Sequence, residues 1–150
     1  METSQHFKNG VIPKNLTSRN NKLKANFMNW YLKVLNQYAD FNGRARRKEY
    51  WMFVLFNVLF AFIAMILDNV LGIAFENIGY GPIYGLYGLA VFIPGLAVGV
   101  RRLHDTGKSG WMLLVGLIPI IGAIWLLVLM ATDGDSGDNK YGQNPKAVTA

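Results

Sequence analysis

Three stretches of the chain, 50–67, 78–100 and 110–132, hold no charged side chain, and their lengths of 18, 23 and 23 residues restrict the fold more than any other feature. An α-helix rises about 1.5 Å per residue and the hydrocarbon core of a bilayer is about 30 Å thick, so crossing it takes about 20 apolar residues. The second and third stretches meet that length. The first is at the short end, where Trp51 at one border and Asp68 at the other suit the headgroup level. Hydrocarbon offers backbone N–H and C=O groups no water, so each stretch is expected to be helical. Composition agrees: 16% of the residues are charged and 52% hydrophobic, against roughly 25% charged in a soluble domain. The fold class that follows is an all-α integral membrane protein with three transmembrane helices in one domain.

An amphipathic helix is expected ahead of the spans, over about 27–41. Its polar residues, Asn29, Lys33, Asn36, Gln37 and Asp40, fall within an arc of about 100° at helical spacing, while Phe27, Tyr31, Val34, Leu35, Tyr38 and Phe41 form the other face. Such a helix is too polar on one side to cross a bilayer and is expected to lie in its interface. Residues 1–27 mix lysines and an arginine with Asn, Ser and Thr and lack apolar periodicity, which reads as a flexible basic tail. The membrane domain is then 28–146, and a polar C-terminal tail covers 133–150.

The second stretch is rich in glycine. Gly81 with Gly85, and Gly95 with Gly99, have the four-residue spacing that lets helix backbones approach closely, within one chain or between two copies. In the third stretch, Gly116, Pro119 and Gly122 are expected to kink a helix that neighbouring helices support.

Basic residues orient the spans. Lys33, Arg44, Arg46, Arg47 and Lys48 precede the first span, and Arg101, Arg102 and Lys108 separate the second from the third. None lies between the first two, and Lys140 and Lys146 follow the third. With three crossings, the positive-inside rule puts the N-terminus in the cytosol and the C-terminus outside, in the periplasm of a bacterium. The same distribution argues against nucleic acid as the partner of a chain with net charge +6, because spans interrupt the basic residues and no recognition element is present. Anionic membrane lipid, attracted at about 1 kcal/mol per basic residue, is the partner expected instead.

Two charged motifs flank the spans on this basic side: Gly43, Arg44, Ala45, Arg46, Arg47, Lys48, Glu49, Tyr50, Trp51, and Arg101, Arg102, Leu103, His104, Asp105, Thr106, Gly107, Lys108, Ser109, Gly110, Trp111. Their pairing closely resembles the DUF805 family of small bacterial inner-membrane proteins. The resemblance covers about residues 28–146 and includes a tail with Gly137, Asn139, Tyr141, Gly142 and Pro145. It implies an inner-membrane location and a helical topology, and no activity.

Five arginines, where lysine would serve topology equally well, suggest forked contacts to carboxylate or phosphate. The candidate motif is Arg44, Arg46, Arg47, Glu49, Arg101, Arg102, His104 and Asp105, used for structural ion pairs or for headgroup binding, with Glu49 to Arg101 or Arg102 the leading pair. No metal site is expected, since the other histidine, His6, lies in the tail, and no cysteine is present. Gly107, Lys108 and Ser109 end like a phosphate loop, but Arg102 stands where its first glycine belongs. The acidic run from Asp133 to Asp138 departs from a calcium loop at Gly137, Asp138 and Asn144. No cofactor and no catalytic residue are assigned. The function expected first is a membrane adaptor or assembly factor, with a membrane protein partner or a second copy as further candidates for what it binds. A transporter or channel subunit and a lipid-headgroup enzyme are the alternatives.

Overall fold

A computed structural model of the chain describes residues 27–147. The basic tail expected over 1–27 lies, but for its last residue, outside the described residues. Within them the secondary structure is helical, apart from an isolated bridge between Asn139 and Gly142. Helix α1 covers 27–36, α2 Arg47–Val70, α3 Pro82–Asp105 and α4 Ile121–Ala131, with a 3-10 helix, Gly110–Leu117, between α3 and α4.

Helices α2 and α3 have 24 residues each, about 36 Å of rise, and among the described residues are the two helices long and apolar enough to cross a membrane. In their most apolar windows 11% and 22% of the residues are buried within the molecule. A core helix of a soluble protein would be mostly buried, so lipid is the solvent that suits these surfaces. Both helices end in the same way. Gly72 and Gly107 adopt φ of 69°, and the next residue in each case, Ile73 or Lys108, donates its N–H to a carbonyl five residues back. This left-handed glycine cap turns the chain sharply and satisfies carbonyls that a helix end leaves open.

The connection between α2 and α3 is sealed by an acid. Asp68, fully buried, accepts the N–H groups of Gly81, Ile83 and Tyr84 at 2.9–3.0 Å. A carboxylate from α2 thus caps the first turn of α3, whose own N-cap, Gly81, has no side chain to do so. A Cβ on Gly81 would lie 2.6 Å from the Asp68 carboxyl carbon, so the close approach requires glycine there. Further along α3, Pro94 has no N–H to give to Ala90. Tyr38 supplies the missing donor, its hydroxyl reaching the Ala90 carbonyl at 2.6 Å.

Helix α1 is shorter than the 27–41 expected. It buries Tyr31 and Val34 against α2, with the Tyr31 ring 5.3–5.6 Å from those of Phe53, Phe56 and Phe60, and leaves Phe27 and Leu32 exposed. Tyr31 thereby ties α1 to the apolar part of α2.

The third apolar stretch differs from expectation. In place of one continuous helix over 110–132, the chain makes the 3-10 helix, reverses at Ile118–Ile120, and returns as α4. Pro119 and Gly122 sit at the break, where Ile120 takes φ of 63° and Gly122 fits so tightly that an added Cβ would meet the Val115 carbonyl. A left-handed isoleucine is strained. Each arm is about 16 Å long, half of the hydrocarbon thickness. Arg102, at the end of α3, bonds the Met130 and Thr132 carbonyls, so both ends of the hairpin lie at the same end of the α2–α3 pair. The C-terminal tail therefore sits beside the arginine motifs, not at the opposite end that three crossings would dictate.

Replacing Asp68 with Asn removes the charge and one acceptor oxygen from three N–H groups. It is expected to destabilise the protein by about 1–3 kcal/mol, read as a lowered Tm in detergent; an unchanged Tm would mean that α3 starts without this cap.

Candidate functional site

All eight candidate residues of the two charged motifs, Arg44, Arg46, Arg47, Glu49, Arg101, Arg102, His104 and Asp105, gather at one end of the molecule. Gly43, at φ of 78°, reverses the chain between α1 and α2, and the Ala45 N–H then donates to the Arg101 carbonyl at 2.9 Å. This lays the first motif across the last turns of α3. The second motif, expected as a loop, is helical through Asp105.

Two buried charge clusters result. In the first, Asp105 is shared: Oδ1 accepts from Arg44 Nε at 3.0 Å and Oδ2 from Arg102 Nη1 at 2.6 Å. The remaining donors of both arginines go to backbone carbonyls. Arg44 serves Asp135 and Gly137, each at 2.7 Å, and Gly142 at 3.2 Å. Arg102 serves Met130 at 3.1 Å and Thr132, carbonyls that the end of α4 leaves without intrahelical donors. In the second cluster, Glu49 takes Lys33 Nζ on one oxygen at 2.6 Å and Arg101 Nη1 on the other at 3.1 Å. Arg101 Nη1 also meets the Gln37 side-chain oxygen. Arg44, Glu49, Arg101, Arg102 and Asp105 are all buried.

The rim is more open. Arg46 bonds the Pro145 carbonyl and stacks over Trp30 at 5.8 Å. Arg47 pairs with Asp133 at 2.9 Å, and Lys146 reaches the same carboxylate at 2.7 Å. The Lys146 hydrogen bond, with Arg47 adding its charge, holds the exposed Asp133 carboxyl below its ordinary range.

His104 and Asp105, adjacent in sequence, do not form an acid–base pair. Asp105 turns its oxygens to the two arginines, while His104 Nδ1 faces the Gly43 carbonyl at 3.2 Å and its ring stacks on Tyr141 at 3.7 Å with 5° between planes. The nearby hydroxyls also have local bonds, Thr106 to the Leu103 carbonyl and Ser109 to the Trp111 N–H. The geometry holds pieces of chain together through these groups.

The four packing glycines are dispersed. Gly81 faces Asp68, an added Cβ on Gly95 would lie 3.7 Å from Phe53, one on Gly99 would lie 3.3 Å from Leu113 of the hairpin, and Gly85 faces open space. Sequence reasoning missed Gln37 as a partner of Arg101 and the whole C-terminal tail as a partner of Arg44. The tail did carry a signal. Gly137 and Gly142 offer carbonyls to Arg44, Pro145 offers one to Arg46, Asn139 donates to the His104 carbonyl, and Tyr141 stacks on His104.

Two membrane-length helices, locked at one end by buried arginine–carboxylate clusters, define a small helical membrane protein. The family model described as protein of unknown function, DUF805, matches residues 38–143, and the chain belongs to this family. It is 49% identical over 119 residues to inner membrane protein YhaH of Escherichia coli, covering 79% of this chain and 98% of the relative. Inner membrane protein YhaI of the same organism is 47% identical over 119 residues, with 79% and 97% covered. A more distant relative, YiiR of Escherichia coli, is 29% identical over 136 residues, with 73% and 88% covered. No solved structure matches the chain significantly.

Asp105→Asn leaves two buried arginines short of their carboxylate and is expected to cost about 3–5 kcal/mol of stability. Adding Arg44→Met should recover part of that loss. Strictly additive Tm changes across this cycle would show that Arg44 and Asp105 act independently.

Proposed function

We propose that the protein is a bacterial inner-membrane adaptor or assembly factor that crosses the bilayer with α2 and α3 and holds both ends of its hairpin on the cytosolic side. The observation that carries this reading is the closed arginine end: Arg44, Arg102, Asp105 and Glu49 spend their hydrogen-bonding capacity on one another, on Lys33 and Arg101, and on the hairpin and tail carbonyls. Charges consumed in this way organise a surface. The exposed basic residues Arg47, Lys48, Lys108 and Lys140 then form a rim suited to anionic headgroups or an acidic partner segment. The names of YhaH and YhaI support the inner-membrane location.

The transporter alternative finds little support among the described residues. The polar side chains in the apolar interior, Asn57 and Tyr87, bond each other at 2.6 Å, and Asn57 also bonds the Phe53 carbonyl. The headgroup-enzyme alternative loses its acid–base pair in the divergence of His104 and Asp105.

The orientation rests on charge. Every described Lys and Arg lies at the arginine end, and none lies in the 71–81 connection or the hairpin. The positive-inside rule then favours a cytosolic arginine end, with the C-terminus beside it. A C-terminal fluorescent protein is expected to be bright and a C-terminal alkaline phosphatase inactive; the reverse would indicate a third crossing. Purification in mild detergent, with bound proteins and lipids identified by mass, tests the adaptor role. A stoichiometric protein partner is expected. Recovery without one, together with turnover of an added phospholipid, would replace the adaptor with an enzyme.

A further inference from the structure

Among the described residues, Arg101 has two buried side-chain nitrogens without a hydrogen-bond acceptor, Nε and Nη2. Its Nη1 already serves Glu49 and Gln37. Nε and Nη2 together form one parallel fork of the guanidinium, the edge whose spacing matches two oxygens of a carboxylate or phosphate. An unmet buried donor is costly, and here two lie side by side on a charged group.

The charge balance points the same way. Lys33 and Arg101 share the single carboxylate of Glu49, which leaves this cluster with one net positive charge. Arg46 adds positive charge on the same flank, where it and Lys33 lie 5.8 and 5.6 Å from the Trp30 ring. Depth adds a third argument. Glu49 lies in the first turn of α2 and Arg101 directly follows an uncharged stretch of 23 residues, which places the cluster where hydrocarbon gives way to headgroups, a level that Trp30 also suits.

We propose that the Nε/Nη2 edge of Arg101 is the receptor for a phosphate oxyanion, supplied by the phosphodiester of an anionic phospholipid. Its single negative charge neutralises the Lys33–Glu49–Arg101 cluster, and its two free oxygens meet the two open donors. The nitrogens are enclosed, so the oxyanion reaches them as the side chains packed over this edge of Arg101 move aside. The site requires no protein partner and stands or falls apart from the adaptor role.

The test uses the full-length protein in detergent, mixed with phosphatidylglycerol, with diacylglycerol bearing the same chains, or with inorganic phosphate. Phosphatidylglycerol is expected to raise Tm by several degrees and to remain bound in native mass spectrometry, and diacylglycerol to do neither. An equal Tm shift from inorganic phosphate alone supports the oxyanion site and assigns it to a soluble phosphate. Arg101→Lys keeps the charge and a contact to Glu49 but loses the fork, and is expected to bind phosphatidylglycerol about tenfold more weakly at unchanged helix content. Equal effects of phosphatidylglycerol and diacylglycerol on the natural chain overturn the proposal, whether or not the variant folds. So does a folded Arg101→Lys protein that binds the phospholipid as tightly as before.

Discussion

One carboxylate, Asp105, ties together four parts of the chain. Its two oxygens hold Arg44, from the segment before α2, and Arg102, from its own helix, and those arginines in turn hold the end of α4 and the tail. Isolated at this depth, any of the three charges would pay several kcal/mol in desolvation. Together, with backbone carbonyls filling the remaining donor positions, they satisfy one another. The hairpin has few buried apolar anchors, because most of its large side chains, such as Trp111, Leu117 and Ile121, face outward, and the tail is held by polar and stacking contacts. Their position therefore depends on arginine forks more than on apolar packing. Gly134 shows how tightly this is built: a Cβ there would run into the Asp105 carboxylate.

The other end of the α2–α3 pair uses the same economy with a single residue. Asp68 replaces the capping side chain that Gly81 lacks and joins α2 to α3 at the end opposite the Glu49–Arg101 pair. The pair is therefore fastened electrostatically at both ends and by aromatic packing between. In hydrocarbon this division is sensible, since apolar contact between helices gains little over contact with lipid, whereas each satisfied polar group avoids a large penalty.

The existence of α2 and α3 was legible in the sequence, because an uncharged run of sufficient length has few other physical outcomes. Their ends were not. Span length counts apolar residues, whereas helix ends are set by caps, so α2 and α3 extend into charged sequence at Arg47 and Asp105. The third stretch passed the same length test and folds as a hairpin, because length cannot distinguish a kink at Pro119 from a full reversal; that depends on Ile120 taking a left-handed backbone, which an isoleucine gives no sign of doing. The arginine motifs could be seen to need acidic or carbonyl partners, and Glu49 and Asp105 stood nearby. The tail was marked by Gly137, Asn139, Tyr141, Gly142 and Pro145, but which of its carbonyls the arginines would take could not be derived, because a backbone carbonyl leaves no trace in residue identity. Asp68 was legible as a border residue, but its capping role required knowing how tightly the next helix would approach.

The hairpin also gives the molecule an uneven cross-section. The arginine end holds α2, α3, both hairpin arms and the flank of α1; the other end holds α2 and α3 and their short connection. Such a body is a wedge, broad at the arginine end.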